Sequence, residues 1–110
     1  MDEMKTLAAC INKITQDGYV ENFKVTDEGH LGSLETEKIY RPEDVHIINF
    51  FRFEGASDPS DSAILYVIET SDGAKGSLTD AYGMYADPNI DKFIKEVEDI
   101  SKKHTAEVNH

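Results

Sequence analysis

The stretch Phe50–Asp87, FFRFEGASDPSDSAILYVIETSDGAKGSLTDAYGMYAD, decides the fold. Two runs frame it, His46–Glu54 and Ser62–Thr70, both short and rich in aromatic and β-branched residues, the composition of strands. Asp72-Gly73 reads as a two-residue hairpin turn, which makes Lys75–Ala81 the return strand. Asp87 can cap a helix whose first residue is Pro88, where a missing N–H costs nothing. Beyond it, Ile90, Phe93, Ile94, Val97 and Ile100 recur at helical spacing and form one apolar stripe. Asp91–Lys95, Glu98–Lys102 and Asp99–Lys103 supply acid-first pairs on the exposed side of that helix.

Working outward, the strand His46–Glu54 carries large apolar groups on both faces, Ile47-Asn49-Phe51-Phe53 and Ile48-Phe50-Arg52-Glu54. Ser62–Thr70 repeats this, and two-faced apolarity predicts central positions in a sheet. Upstream, Met4, Leu7, Ala8, Ile11 and Ile14 predict an amphipathic helix over 2–16, with Gly18 placed to end it. Tyr19–Val25 reads as a strand and Asp27-Glu28-Gly29 as a turn, with Leu31–Leu34 a short second strand. Ile39–Val45 reads as a connector in which Pro42 starts a single helical turn, since Arg41 before proline is held extended.

The fold class expected is therefore α+β: an N-terminal helix, a four- to five-stranded mainly antiparallel sheet and a C-terminal helix, with both helices on one face. One domain spans 1–104, and the polar residues 105–110 form a frayed tail. The second apolar face of the sheet is then covered by loops carrying Tyr82 and Tyr85, or by a second copy, so the chain is a monomer or a homodimer.

The chain has 110 residues, enough for one core that stands without metal or disulfide support. Its 22 acids against 11 bases give a net charge of −11, and between Glu54 and Asp91 eight carboxylates face one base, Lys75. A field of that sign repels phosphate backbones and anionic lipid, so neither nucleic acid nor a membrane is an expected partner. The single cysteine, Cys10, lies on the apolar side of the first helix as a small hydrophobe. No segment has the pattern of a signal peptide or a transmembrane span, which places the protein in the cytoplasm.

Several residues carry candidate chemistry. Glu54, Asp58 and Asp61 lie on or beside the loop EGASDPSD, but their spacing lacks the ligand pattern of a calcium loop and fits a hydrogen-bonded turn, so no metal is expected. Asp72-Gly73-Ala74-Lys75-Gly76 has the two glycines and lysine of a phosphate loop but joins two strands rather than opening a helix, so a plain hairpin is the expectation. Arg52 sits among Phe51 and Phe53 and could hold a carboxylate or phosphate in bidentate fashion, or pair with Glu54. Tyr66, Asp80, Tyr82 and Tyr85 place phenols and a carboxylate near the open end of the hairpin, and Asp80 and Tyr82 share a strand face. The four histidines show no zinc spacing and no cofactor motif is present.

The run Phe51-Arg52-Phe53-Glu54-Gly55, with Asp58-Pro59, Ile64-Leu65-Tyr66, Asp72-Gly73-Ala74-Lys75-Gly76 and Ala81-Tyr82-Gly83-Met84-Tyr85, resembles a family of small uncharacterised bacterial proteins. Some members carry the name phosphoribosylpyrophosphate synthetase. That name implies a two-domain enzyme with a glycine-rich ribose-phosphate loop after a parallel strand, and neither stands in this chain. The resemblance brings no catalytic residue with it. The expected function is a non-enzymatic binding or regulatory module that meets its partner through Arg52, Glu54, Asp58, Asp61, Tyr82 and Tyr85. The alternatives are a small enzyme or anionic-metabolite-binding protein using Arg52, Asp80 and Tyr82, and an acidic protein that occupies a basic partner.

Overall fold

The computed structural model describes residues 7–53, 63–81 and 87–108. Helix α1 (Leu7–Gln16) leads into strands β1 (Glu21–Val25), β2 (Leu31–Ser33) and β3 (Ile39–Tyr40). A 3-10 turn (Pro42–Asp44) follows, then β4 (Val45–Phe53), β5 (Ala63–Thr70), β6 (Lys75–Ala81) and helix α2 (Pro88–Val108). Local chemistry explains most boundaries. Helix α1 closes with Gly18 N–H on the Thr15 carbonyl and Tyr19 N–H on the Ile14 carbonyl, the paired bonds of a Schellman motif. At the start of α2, Asp87 accepts the Asn89 N–H at 2.8 Å, with Pro88 behind it. Arg41 is extended, at φ −84° and ψ 161°, and Pro42 opens the 3-10 turn.

The six strands form one mixed sheet in the order β3-β2-β1-β6-β5-β4. All neighbours are antiparallel except β1 and β6, which run parallel through Glu21↔Gly76 and Asn22↔Ser77. The sheet is thus larger than the four or five strands expected, because Ile39-Tyr40 adds an edge to β2. It is also strongly curled. Only Arg41–Asp44 lie between β3 on one edge and β4 on the other, and five residue steps reach ~18 Å at most. Six strands laid flat would separate the outer two by ~24 Å. Strand β1 makes the bend: its first two residues pair with β6 and its last three with β2.

The helices lie on opposite faces of this sheet, not on one. Strand β5 shows why, since its successive residues point to opposite sides. Leu65 and Val67 pack with Cys10 and Ile14 of α1, joined by Phe51 and Phe53 of β4. Ile68 packs with Phe93, Ile94 and Val97 of α2, in a cluster that draws Phe23, Leu31, Tyr40, Val45 and Leu78 from all the other strands. The second apolar face is therefore filled by α1 over β5 and β6, which removes the need for a loop or a second copy there.

Strand β4 departs most from expectation. It is an edge strand, not a central one, and its apolarity on both faces answers to a helix on each side. A bulge between Ile47 and Asn49 also breaks the expected face sets. Ile47 joins the α2 side, whereas Phe51 and Phe53 join the α1 side, and Ile48 is the extra residue between them. Ile48 and Phe50 are left 50% and 48% exposed, and Ile100, expected in the buried stripe of α2, is 38% exposed.

The hairpin between β5 and β6 differs from expectation by one residue. Gly73 N–H bonds the Thr70 carbonyl and Thr70 N–H bonds the Ala74 carbonyl, so Ser71-Asp72-Gly73 form a three-residue loop with Gly73 at φ 92°. Asp72 is its hub. It accepts from Thr70 Oγ1 at 2.5 Å, from Tyr40 Oη at 3.0 Å and from Lys38 Nζ at 3.4 Å, tying β3 to the hairpin. These donors, Thr70 foremost, hold its carboxyl down at about 2. A carboxylate lowered from 3.8 stabilises the fold above its unfolded value and ceases to as pH falls through 3.8 towards 2. Thermal unfolding should show the melting temperature dropping across that window, and Asp72→Ala should flatten the drop.

Candidate functional site

Cross-strand pairing on the α2 face sets out the candidate residues in rows. Arg52, Ile64 and Asp80 form one row across β4, β5 and β6. Phe50, Tyr66 and Leu78 form the next, and Ile47, Ile68 and Gly76 the third. Arg52 and Asp80 therefore share a face, as a joint ligand site would need, but Ile64 stands between them. Their strands are two spacings apart, ~10 Å, and both groups act on the Tyr66 phenol between them. Of the other residues expected at the site, Glu54, Asp58, Asp61, Tyr82 and Tyr85 lie outside the described residues.

Arg52 has an aromatic partner two residues back on its own strand. Its guanidinium stands 5.8 Å from the centre of the Phe50 ring, and that ring lies 6.4 Å from the ring of Tyr66, tilted by 42°. Burial raises the Tyr66 phenol above its usual value. The carboxylates of Asp80, Asp91 and Glu98 raise it further, while Arg52 opposes them. The phenol is thus held protonated in a net negative field, the wrong setting for a general base near neutral pH.

Asp80 does structural work. Its Oδ1 accepts the Asp87 N–H at 3.1 Å, joining the end of β6 to the start of α2. Burial raises its carboxyl, and Asp87 and Asp91 add to this, against the lowering bonds from the Asp87 and Ala81 backbone. A carboxyl raised in the fold costs nothing below its unfolded value near 3.8; the cost grows as pH rises from there to the raised folded value and is complete above it. Asp80→Asn keeps the acceptor and removes the charge, so it is expected to be more stable than the wild type at neutral pH. The gain should read as a higher urea midpoint at neutral pH and should vanish near pH 3.5. A loss of stability at neutral pH would mean the charge itself is needed.

A hollow lies beside this face, between β4 and the C-terminal half of α2. It has a volume of about 390 Å3. Val45, Ile47 and Val97 supply apolar walls, with His46, Asn49, Glu98, Ser101 and Lys102 as polar groups. Ile48 and Phe50 complete the β4 side. At the bulge, Asn49 Oδ1 accepts the Phe50 N–H at 2.8 Å. Strand β4, the longest in the sheet, pairs with β5 on one side, and among the described residues no strand pairs with its other side. The opposite edge, β3, is two residues long.

Sequence reasoning missed this groove because it depends on β4 lying at an edge. The adjacent pairs Ile47-Ile48 and Phe50-Phe51 were the available sign, since two neighbouring apolar residues cannot both point to one face of a regular strand. Among the described residues, no three histidines, cysteines or carboxylates gather as a metal site. No helix among the described residues is long and apolar enough to cross a membrane. Comparison of the chain with protein-family models, with curated proteins and with solved structures gives no match.

Proposed function

We propose that this chain is a non-enzymatic cytoplasmic binding module that takes a segment of a partner protein along β4 and the adjoining groove. One observation carries the reading: among the described residues, the longest strand of the sheet has a side that no strand pairs, next to a groove of about 390 Å3, with Ile48 and Phe50 half exposed beside it. Exposed apolar groups gathered at a concave place mark contact surfaces. An open strand edge offers backbone donors and acceptors that an extended segment can use, the mode of strand addition. The metabolite-binding alternative rests on Arg52 and Asp80, whose strands lie two spacings apart with Ile64 between them.

Selection of short random peptides against the protein, followed by amide NMR titration, tests this. Selected peptides should move the amides of Val45–Phe53 and lose affinity to the Ile48→Ser variant. If pooled nucleotides and metabolites instead moved the signals around Arg52 and Asp80, with no peptide acting on β4, a small-molecule site would replace the reading.

A further inference from the structure

Resting on that reading of β4, we propose that the occupant is an extended, lysine- or arginine-rich segment of another protein. Its apolar residues sit between β4 and α2, and its cations lie over the Phe50–Tyr66 ring pair.

Shape supplies the first half of the argument. Val45, Ile47 and Val97 give the groove an apolar lining, and Phe50 continues it along β4 towards Tyr66. A segment lying alongside β4 would project alternate side chains to one side, apolar into the groove, polar to its rim.

Charge supplies the second half. Asp80 from β6 and Asp91 and Glu98 from α2 act together on the Tyr66 phenol, against one guanidinium, Arg52. Asp91 is partly offset by Lys95, 3.4 Å away, and Lys102 stands with Glu98 at the groove. Burial is the largest cause of the raised phenol, and the three carboxylates add to it against Arg52 alone, so acid outweighs base around the ring pair. Aromatic faces add to this, because their quadrupoles attract cations, and Phe50 already holds a guanidinium at 5.8 Å. An acidic segment or a nucleic acid would bring like charge to this place. So would a second copy of the chain, with a further −11.

The test uses two short synthetic peptides on the full chain, one alternating valine with lysine and the other valine with glutamate. The lysine peptide should shift the amides of Ile47–Phe53 and of Val97–Lys102, and weaken about tenfold between 50 and 300 mM salt as screening grows. Phe50→Ala and Glu98→Gln, both at exposed side chains, should each weaken it about fivefold. Their own spectra report that they fold. Equal binding of the glutamate peptide at the same amides would overturn the basic partner while leaving the β4 surface standing. Shifts scattered over the acidic surface and indifferent to Phe50→Ala would overturn the seat in the groove. Silence of the groove amides with both peptides, where selected peptides still move them, would overturn the basic segment alone. Silence with every peptide would overturn both readings.

Discussion

Replacing Gly76 by alanine is expected to separate the β1–β2–β3 half of the sheet from the rest and to cost about 3 kcal/mol or more. The reason is a close backbone approach. A Cβ at Gly76 would strike the Glu21 carbonyl oxygen, and would stand 2.7 Å from the Glu21 carbonyl carbon and 2.8 Å from the Phe23 ring. A flexible side-chain tip could yield, but the peptide of Glu21 is fixed by its place in the sheet. The whole parallel contact between β1 and β6 consists of Glu21↔Gly76 and Asn22↔Ser77, so moving Glu21 away removes half of it. Phe23, pushed by the same atom, is 5% exposed and packs edge-on against Tyr40 at 6.4 Å.

Two measurements check this. The urea midpoint should fall sharply, and hydrogen exchange should show Glu21–Val25 and Leu31–Ser33 losing protection before Ala63–Thr70. Gly32→Ala is the comparison. Its nearest atom is the Ile39 Cδ1 at 3.3 Å, the end of an exposed side chain that can move aside, so its cost should stay within about 1 kcal/mol. If Gly76→Ala matched wild type, the β1–β6 approach would be looser than described and the two halves of the sheet would be independent.

The same residues show what a linear reading can and cannot reach. Asp87-Pro88, Gly18 and Arg41-Pro42 act within one or two turns of chain, and each element boundary they marked stands where local chemistry places it. Strand order is set by contacts far apart in sequence. Nothing near Gly76 announces that Glu21 lies against it, and the apolar run of β4 would look the same in the centre of a sheet as at an edge between two helices. The bulge at Ile48 then shifted the face of every residue before it, because strand alternation has a period of two. Arg52 and Asp80 were legible as candidate residues, but the face they share is set by the β4–β5–β6 register. The open edge with Ile48 and Phe50 was not legible.

Phe93→Ala should be the most costly side-chain truncation in the molecule, at ~3–5 kcal/mol. Phe93 is 1% exposed, in the middle of the α2 stripe, and its cluster includes residues of every strand of the sheet. Because the curled sheet wraps α2, the void left by the ring cannot be closed by shifting one element without disturbing the others. With folding free energies of 5–15 kcal/mol typical, a loss of that size would leave a substantial unfolded fraction at physiological temperature. Urea unfolding of Phe93→Ala alongside Phe50→Ala makes the argument sharp, for the two remove the same ring. Phe50 is 48% exposed on the open edge of β4, and its loss should cost under about 1 kcal/mol. A stability requirement accounts for Phe93. It does not account for Phe50, whose ring stands half in water beside the groove, near the Arg52 guanidinium and the Tyr66 ring. If Phe50→Ala proved as destabilising as Phe93→Ala, Phe50 would belong to the core and the open edge would lose its main claim as a binding surface. If the two separate as expected, Phe50 can be altered without unfolding the protein, and its effect on binding can be read directly.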